Sequence, residues 1–114
     1  MAKFKFVEWL LLWLQENSNF EFDWDEGNRT KSASKQSVLT EETEEVFTLG
    51  QAVPLGVQVS PPVHEERLGI VGTTSAGRIL HVVFTLRDGK VRPISTRTAH
   101  KKERELYEAY LREI

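Results

Sequence analysis

The feature that most constrains the fold of this chain is a hairpin signal near its C-terminal end. Two runs rich in β-branched and aromatic residues, 79–86 and 91–95, flank the four residues Arg87-Asp88-Gly89-Lys90. Asp-Gly is preferred in a two-residue type I′ turn because both central residues of that turn need positive φ. A turn at Asp88-Gly89 predicts the pairs Arg87–Lys90, Leu86–Val91, Thr85–Arg92 and Phe84–Pro93.

This register divides the hairpin into two faces, because successive side chains of a strand point in opposite directions. The apolar face contains Leu80, Val82, Phe84, Leu86, Val91 and Pro93. The other face carries His81, Thr85, Arg87, Lys90, Arg92 and Thr96, together with Val83 and Ile94. Since proline has no N–H, Pro93 predicts that its strand is an edge strand or is bulged on its outer side. We therefore expect a core layer on one face and a cationic surface on the other.

Composition excludes several classes of protein. A chain of 114 residues predicts one domain, and the absence of cysteine excludes a disulfide scaffold and a thiolate metal site. It is also compatible with a reducing compartment, and we predict a cytoplasmic protein. The three histidines are scattered, and no phosphate-binding loop, nucleophile elbow or dinucleotide fingerprint is present. We therefore predict neither a metal nor a cofactor.

Charge is distributed unevenly along the chain. The net charge of −2 argues against indiscriminate binding to nucleic acids. Residues 20–63 carry three Lys/Arg against eight Asp/Glu, a net of −5, whereas residues 64–114 carry ten against seven, a net of +3. A local cationic patch in the second half is therefore compatible with the small net charge.

The first residues predict a helix over 4–16 that is apolar on most of its circumference, with Phe4, Val7, Leu11 and Leu14 on one stripe and Trp9 and Trp13 on another. It is too short to span a bilayer and is interrupted by Glu8, so we predict no membrane segment. We expect it to add to the core of the domain, and a homodimer or partner contact is the alternative.

The remaining pattern predicts a mixture of strands and helices. We expect a short aromatic-acidic strand at 20–25, a weak helix at 28–36, a helix capped by Thr40, strands near 57–59 and 67–71, and a last helix over 99–114. Glu103 falls on the apolar face of the last helix, where a carboxylate needs a partner, and an arginine of the sheet is the natural one.

Two blocks of sequence form a recognisable pattern. The first runs from Phe22-Asp23-Trp24-Asp25 through Lys31 to Lys35-Gln36-Ser37-Val38, followed by an acidic helix that ends at Val46-Phe47. The second contains Glu66-Arg67, Gly77-Arg78, Phe84-Thr85-Leu86-Arg87, Arg92-Pro93-Ile94-Ser95-Thr96-Arg97 and Lys102-Glu103-Arg104 with Tyr107. Together these blocks resemble the BrnT family of bacterial toxins. The resemblance covers about residues 20–110, so we divide the chain into a helical extension, 1–19, and a toxin domain, 20–114.

This resemblance implies an α+β fold like that of RelE-type ribonucleases, an antiparallel sheet flanked by helices, here with an additional N-terminal helix. It implies a toxin of a type II toxin–antitoxin pair that cleaves RNA and is held inactive by a BrnA-like antitoxin. The cationic hairpin face would then be the RNA-cleaving surface, and cleavage through the 2′-OH of RNA requires no metal. The candidate catalytic residues are Lys35, Arg67, Arg78, His81, Arg87, Arg92, Arg97 and Glu103.

These candidates have different expected roles. The five arginines would stabilise the charged phosphorane, because a guanidinium binds phosphate oxygens bidentately. Lys35 and His81 are candidates for proton transfer, and Glu103 is expected to orient an arginine. The Lys-His pair of the family is Lys35-Gln36 here, and glutamine does not titrate. A relative that keeps the fold and binds its partners without cleaving RNA is therefore the alternative function.

Overall fold

The structure is a computed structural model that describes every residue except Met1, Ser18, Ser37, Gly50 and Ile114. The side chains of residues 32–36 and of Glu113 also lie outside the described part. The elements in chain order are β1 (Lys3–Lys5), α1 (Glu8–Glu16), α2 (Glu26–Gln36), α3 (Thr40–Thr48), β2 (Val53–Ser60), β3 (Leu68–Thr73), β4 (Ile79–Arg87), β5 (Lys90–Thr98) and α4 (Lys101–Glu113).

The strands form a five-stranded antiparallel sheet in which neighbours in the chain are neighbours in space, in the order β1-β2-β3-β4-β5. The predicted α+β class with an antiparallel sheet and flanking helices is confirmed. The predicted turn is confirmed too, because Asp88 and Gly89 have φ of 52° and 77° and all four predicted pairs are present. β5 is an edge strand, as Pro93 requires.

A bulge in β5 changes the register beyond Pro93. Phe84 pairs with Pro93, but Val83 pairs with Ser95, so Ile94 is an extra residue. As a result Thr96 pairs with Val82 and is buried, where its hydroxyl bonds the Thr43 hydroxyl of α3 at 3.0 Å. The prediction that Thr96 lies on the cationic face was therefore wrong. The bulge instead places Arg97 opposite His81.

The larger core lies between one face of the sheet and helices α1 and α3. Its buried residues are Leu10, Val38, Val46, Phe47, Leu68, Ile70, Leu80, Val82, Phe84 and Val91. Trp13 stacks on Phe84 with ring centroids 5.9 Å apart, and Phe47 meets Phe84 edge-on at 5.0 Å. This face is the apolar face that the hairpin pattern predicts.

A smaller cluster lies on the opposite face of the sheet, beneath α4. Val53, Val71 and Tyr107 are buried there, and the Tyr107 hydroxyl lies 2.7 Å from that of Thr73. The predicted apolar stripe of the last helix therefore packs on the face that also carries His81 and Arg97. α4 covers only part of this face of the sheet. The part nearer the hairpin turn is not covered by α4 and carries charged side chains.

The N-terminal residues differ from the predicted continuous helix over 4–16. Residues 3–5 form strand β1 on the outer edge of β2, and Val7 has extended backbone angles before α1 begins at Glu8. The alternation Lys3-Phe4-Lys5 suits a strand whose partner supplies hydrogen bonds. Leu10 is fully buried in the larger core, which is where the favoured interpretation placed this helix.

The aromatic-acidic segment before α2 is not a regular strand. It makes a single parallel bridge between Phe22 and Val91 at the outer edge of β5. The Asp23 N–H donates to the Val91 carbonyl at 2.7 Å, and the Val91 N–H donates to the Glu21 carbonyl at 2.8 Å. The Asn28 side-chain amide donates a hydrogen bond to the Pro93 carbonyl, with Nδ2 and the oxygen 3.0 Å apart. This edge of β5 is therefore covered by α2 and the residues before it.

The burial of α1 generates a stability prediction. Leu10→Ala should lower the free energy of unfolding by about 2–5 kcal/mol, because it leaves a cavity in the core. Leu12→Ala, in the same helix but 43% exposed, should change it by about 0.5 kcal/mol or less. Urea denaturation followed by tryptophan fluorescence measures both. Equal losses in the two variants would contradict the assignment of α1 to the core.

Candidate functional site

An open groove with a volume of about 330 Å³ lies between the start of α2 and the β4–β5 hairpin. Its lining includes four basic residues, Lys31, Arg67, Arg87 and Arg92, and two acidic residues, Asp25 and Glu65. Three of the five arginines predicted from the sequence therefore meet in one place. The excess of positive charge makes the groove suited to an anionic ligand.

Arg92, in the lining of the groove, is held firmly. One guanidinium nitrogen lies 2.5 Å from Asp25 Oδ2 and the other 3.5 Å from Asp23 Oδ2. Asp25 is itself fixed at the start of α2, because its Oδ1 accepts the Asn28 N–H at 2.9 Å while Asn28 Oδ1 accepts the Asp25 N–H at 2.7 Å. The Asn28 N–H and the Arg92 side chain lower the pKa of Asp25, so this carboxylate stays ionised.

Arg87 and Arg67 are held less firmly than Arg92. Arg87 is half-exposed and its contact with Glu65 is long, at 3.3 Å. Arg67 is partly buried, and its Nε has no hydrogen-bond partner among the described residues. Exposed ion pairs of this kind contribute about 0–1 kcal/mol, so an incoming phosphate can replace Glu65 as the partner of Arg87.

Arg78 does not belong to the groove. It lies just before β4 and points toward α3, where its guanidinium donates to both Glu42 oxygens at 2.9 and 2.8 Å. Glu42 Oε1 also accepts the Leu39 N–H at 3.0 Å, at the beginning of α3. The N-cap of α3 is therefore Leu39 and not the predicted Thr40, which is the first residue of the helix. The structure separates Arg78 from the other predicted site residues.

Arg97, Glu103 and His81 form a second cluster, on the same face of the sheet as the groove and next to α4. Arg97 binds Glu103 through two hydrogen bonds of 2.8 and 2.9 Å, which confirms the predicted partner of Glu103. Glu103 Oε1 also accepts the His100 N–H at 2.8 Å. Burial raises the pKa of Glu103, but these hydrogen bonds and the nearby positive charges outweigh burial and lower the pKa to about 2.

His81 lies beneath the surface of this face rather than on it. Only 3% of the residue is exposed, and neither ring nitrogen has a hydrogen-bond partner among the described residues. Burial lowers the pKa of His81 to about 4, against the opposing charge of Glu103, whose Oε2 lies 3.9 Å from Nε2. The Phe4 ring of β1 packs edge-on against the imidazole at 5.6 Å. His81 is therefore neutral near pH 7 and shielded from solvent.

Lys35 falls in α2, one helical turn after the groove residue Lys31, but its side chain lies outside the described residues. The same holds for Gln36. Sequence reasoning did not assign a site role to Lys31 or to the Asp25–Asn28 pair, although the spacing Asp-x-x-Asn at a helix start is a capping signal that could have found the latter. No local signal places Phe4 against His81.

Neither a metal site nor a membrane span is found in the described part of the chain. No group of three or more His, Asp or Glu side chains among the described residues is arranged to hold a metal ion. Among the described helices, none combines the length and apolar character that a membrane span requires.

The fold and the groove define the chain as a small α+β protein with a cationic groove on one face of its sheet. The family model described as "Ribonuclease toxin, BrnT, of type II toxin-antitoxin system" matches residues 24–103, which is more than half of the chain. The protein therefore belongs to the BrnT family of ribonuclease toxins. The matched range begins after β1 and α1.

A solved structure with the same fold is that of the Brucella abortus ribonuclease toxin BrnT. It is 21% identical to this chain, with a TM-score of 0.52 over 73% of this chain and the whole of that one. At this level of identity the likeness shows the fold alone. No curated protein matches the chain.

The burial of His81 generates a prediction on pH. The unfolded imidazole binds a proton below about pH 6.5, whereas the folded one stays neutral until about pH 4. The unfolded state therefore binds more protons in this window, and the folded state loses up to about 3 kcal/mol as the pH falls from 6.5 to 4. His81→Leu should remove this loss, because leucine does not titrate.

Denaturation midpoints of the wild type and His81→Leu between about pH 7 and 5.5 measure the upper part of this effect, above the range in which Glu103 titrates. His64→Leu is the matched control, because it makes the same substitution at an exposed histidine. A His81→Leu variant with the pH dependence of the wild type would show that His81 titrates as it does in the unfolded chain.

Proposed function

We propose that this protein is a metal-independent endoribonuclease toxin that binds the backbone of RNA in the groove between α2 and the β4–β5 hairpin. The observation that carries the proposal is the convergence of Lys31, Arg67, Arg87 and Arg92 on one open groove in a chain of the BrnT family. These four side chains come from three separate parts of the chain. Their convergence favours a phosphate-binding role over four independently solvated charges.

The reaction that suits this groove is attack of an RNA 2′ oxygen on the adjacent phosphorus. The P–O5′ bond breaks, a 2′,3′-cyclic phosphate forms, the 2′-OH proton passes to a base, and the departing 5′ oxygen takes up a proton. The phosphorane carries additional negative charge, which guanidinium groups stabilise through charge-assisted hydrogen bonds. The arginines thereby supply the electrostatic stabilisation that a metal ion supplies in other nucleases.

The two arginines of the hairpin have different roles in this mechanism. Arg92 is oriented by Asp25, so its guanidinium is already in place before substrate binds. Arg87 exchanges its long contact with Glu65 for a phosphate oxygen. Arg67, whose Nε has no partner among the described residues, adds a third cation to the lining of the groove. For proton transfer we retain Lys35, because α2 carries it one turn beyond Lys31.

A second candidate function is RNA binding without cleavage. Two observations favour it: Gln36 stands where the family pattern has a histidine, and His81 is buried with its pKa lowered to about 4. In this case the groove would still bind phosphate groups, since none of its cations depends on either residue. Binding and cleavage must therefore be measured separately.

The protein partner in this proposal is a BrnA-like antitoxin that holds the toxin inactive, and the proposed location is the cytoplasm, where cellular RNA is present. A homodimer through the N-terminal residues stays a prediction. Because Leu10 of α1 lies in the core of its own chain, removing residues 1–16 would damage the fold. Light scattering of the full-length chain is therefore the appropriate measurement, and the mass of one chain would contradict the dimer.

Arg87→Ala tests the groove directly. We expect cleavage of a labelled single-stranded RNA to fall about 10- to 100-fold, the effect of losing a hydrogen bond to a charged group. Stability should change by about 1 kcal/mol or less because the Glu65 contact is exposed. Arg112→Ala, an equal change of charge on the exposed side of α4, is the control and should cleave as the wild type does.

The assay contains a chelator, and a substrate with 2′-deoxyribose at the cleaved position should stay intact. RNA that binds and is not cut by the wild type would favour the second candidate function. Equal cleavage by Arg87→Ala and Arg112→Ala would remove the groove from the mechanism.

A further inference from the structure

We propose that strand β1 is an autoinhibitory cover, in which Phe4 masks His81 and displacement of β1 adds His81, beside Arg97 and Glu103, to the RNA-cleaving face. This inference rests on the proposed ribonuclease function. It assigns a role to residues 3–5, which lie outside the range that the BrnT family model matches. It also explains how a histidine on the cationic face can be absent from the surface of the protein.

His81 is an unsatisfied group at the centre of a charged cluster. It is almost completely buried, and neither ring nitrogen has a partner among the described residues, although a neutral imidazole offers one donor and one acceptor. Buried polar groups are normally hydrogen-bonded, so an unpartnered histidine is a costly arrangement to keep for packing alone. The charged groups that face it are Glu103 and Arg97, with His100 at the start of α4.

The cover over His81 comes from β1. The Phe4 ring lies edge-on to the His81 imidazole. The same ring fills the space above Gly69, because a Cβ added to Gly69 would lie 2.7 Å from it. Gly56 is the second glycine on which β1 packs. Its φ is 128°, and the Lys5 carbonyl occupies the place that a Cβ would take. Two glycines of the sheet thus make room for this strand and its aromatic side chain.

The strand pairing that holds β1 to the sheet is short. β1 has three residues at the edge of the sheet, its pairing with β2 shifts register between Lys3 and Phe4, and both lysines are exposed. Loss of a three-residue edge strand leaves the other four strands and their hydrogen bonds in place. Such a strand belongs to the least stable part of a fold, where local opening is expected.

The covered cluster and the groove share one face of the sheet. On β4, Arg87, Thr85, Val83 and His81 point the same way, and from Thr85 to His81 is about 13 Å along the strand. Thr85 pairs with the groove residue Arg92, and His81 pairs with Arg97. An RNA strand that lies in the groove can therefore continue toward Arg97 when Phe4 is displaced. An exposed His81 would then supply an acid–base group that Gln36 does not.

Phe4→Ala removes the cover without altering any charged group of the cluster. The control is Phe6→Ala, which deletes the same side chain two residues later, at a position that is 55% exposed. Gly56→Ala is an independent variant, because its Cβ would collide with the Lys5 carbonyl and detach β1. The pKa of His81 is followed by NMR of the imidazole protons, and cleavage of single-stranded RNA is measured on the same samples.

In both Phe4→Ala and Gly56→Ala, we expect the pKa of His81 to rise from about 4 toward 6.5 and cleavage to increase at least about tenfold, which corresponds to 1.4 kcal/mol. Adding His81→Ala should abolish the increase, and Phe6→Ala should change neither quantity. A His81 pKa that stays near 4 in both variants would contradict the proposal that β1 covers His81.

The two proposals fail in different ways. If the wild type cleaves RNA and both Phe4→Ala and Gly56→Ala cleave it at the same rate, the autoinhibitory role of β1 is overturned. The proposed ribonuclease function would stand. Absence of cleavage in the wild type and in both variants would overturn the ribonuclease function and, with it, the catalytic role of His81. Increased cleavage that persists after His81→Ala would overturn the assignment to His81.

Discussion

The charged face of this protein depends on one extra residue in β5. Ile94 has no partner in β4, and the bulge it makes reverses which side chains point inward beyond that position. Without it, Arg97 would face the core and Thr96 the cationic side. With it, Arg97 lies opposite His81 and can reach Glu103, while Thr96 bonds Thr43 beneath the sheet. The core and the charged face are thus both determined by the same irregularity.

Ion pairs along this face differ in how firmly they are held. Arg92 and Arg97 are partly buried and bound by carboxylates that hydrogen bonds fix at the starts of α2 and α4. Arg87 has a long, exposed contact that an anion can replace. Firmly held guanidinium groups give a binding surface its geometry, and loosely held ones allow a ligand to enter.

The N-terminal residues serve both faces of the sheet. α1 fills the larger core through Leu10 and Trp13, so it is part of the fold although it precedes the range matched by the family. β1 reaches the opposite face and places Phe4 on His81. One short segment therefore contributes to the core on one side of the sheet and contacts an ionisable group on the other.

The sequence by itself determined the hairpin turn at Asp88-Gly89, the register next to it, the position of β5 at the sheet edge and the pairing of Glu103 with an arginine. These depend on local rules: positive φ, alternation of side chains, the missing N–H of Pro93 and the cost of an unpaired carboxylate. Only the tertiary structure decided that residues 3–5 form a strand, that Ile94 is bulged, that Arg78 binds Glu42 and that His81 is buried. Each of these depends on a partner distant in the chain, and no local pattern of residues encodes the choice of such a partner.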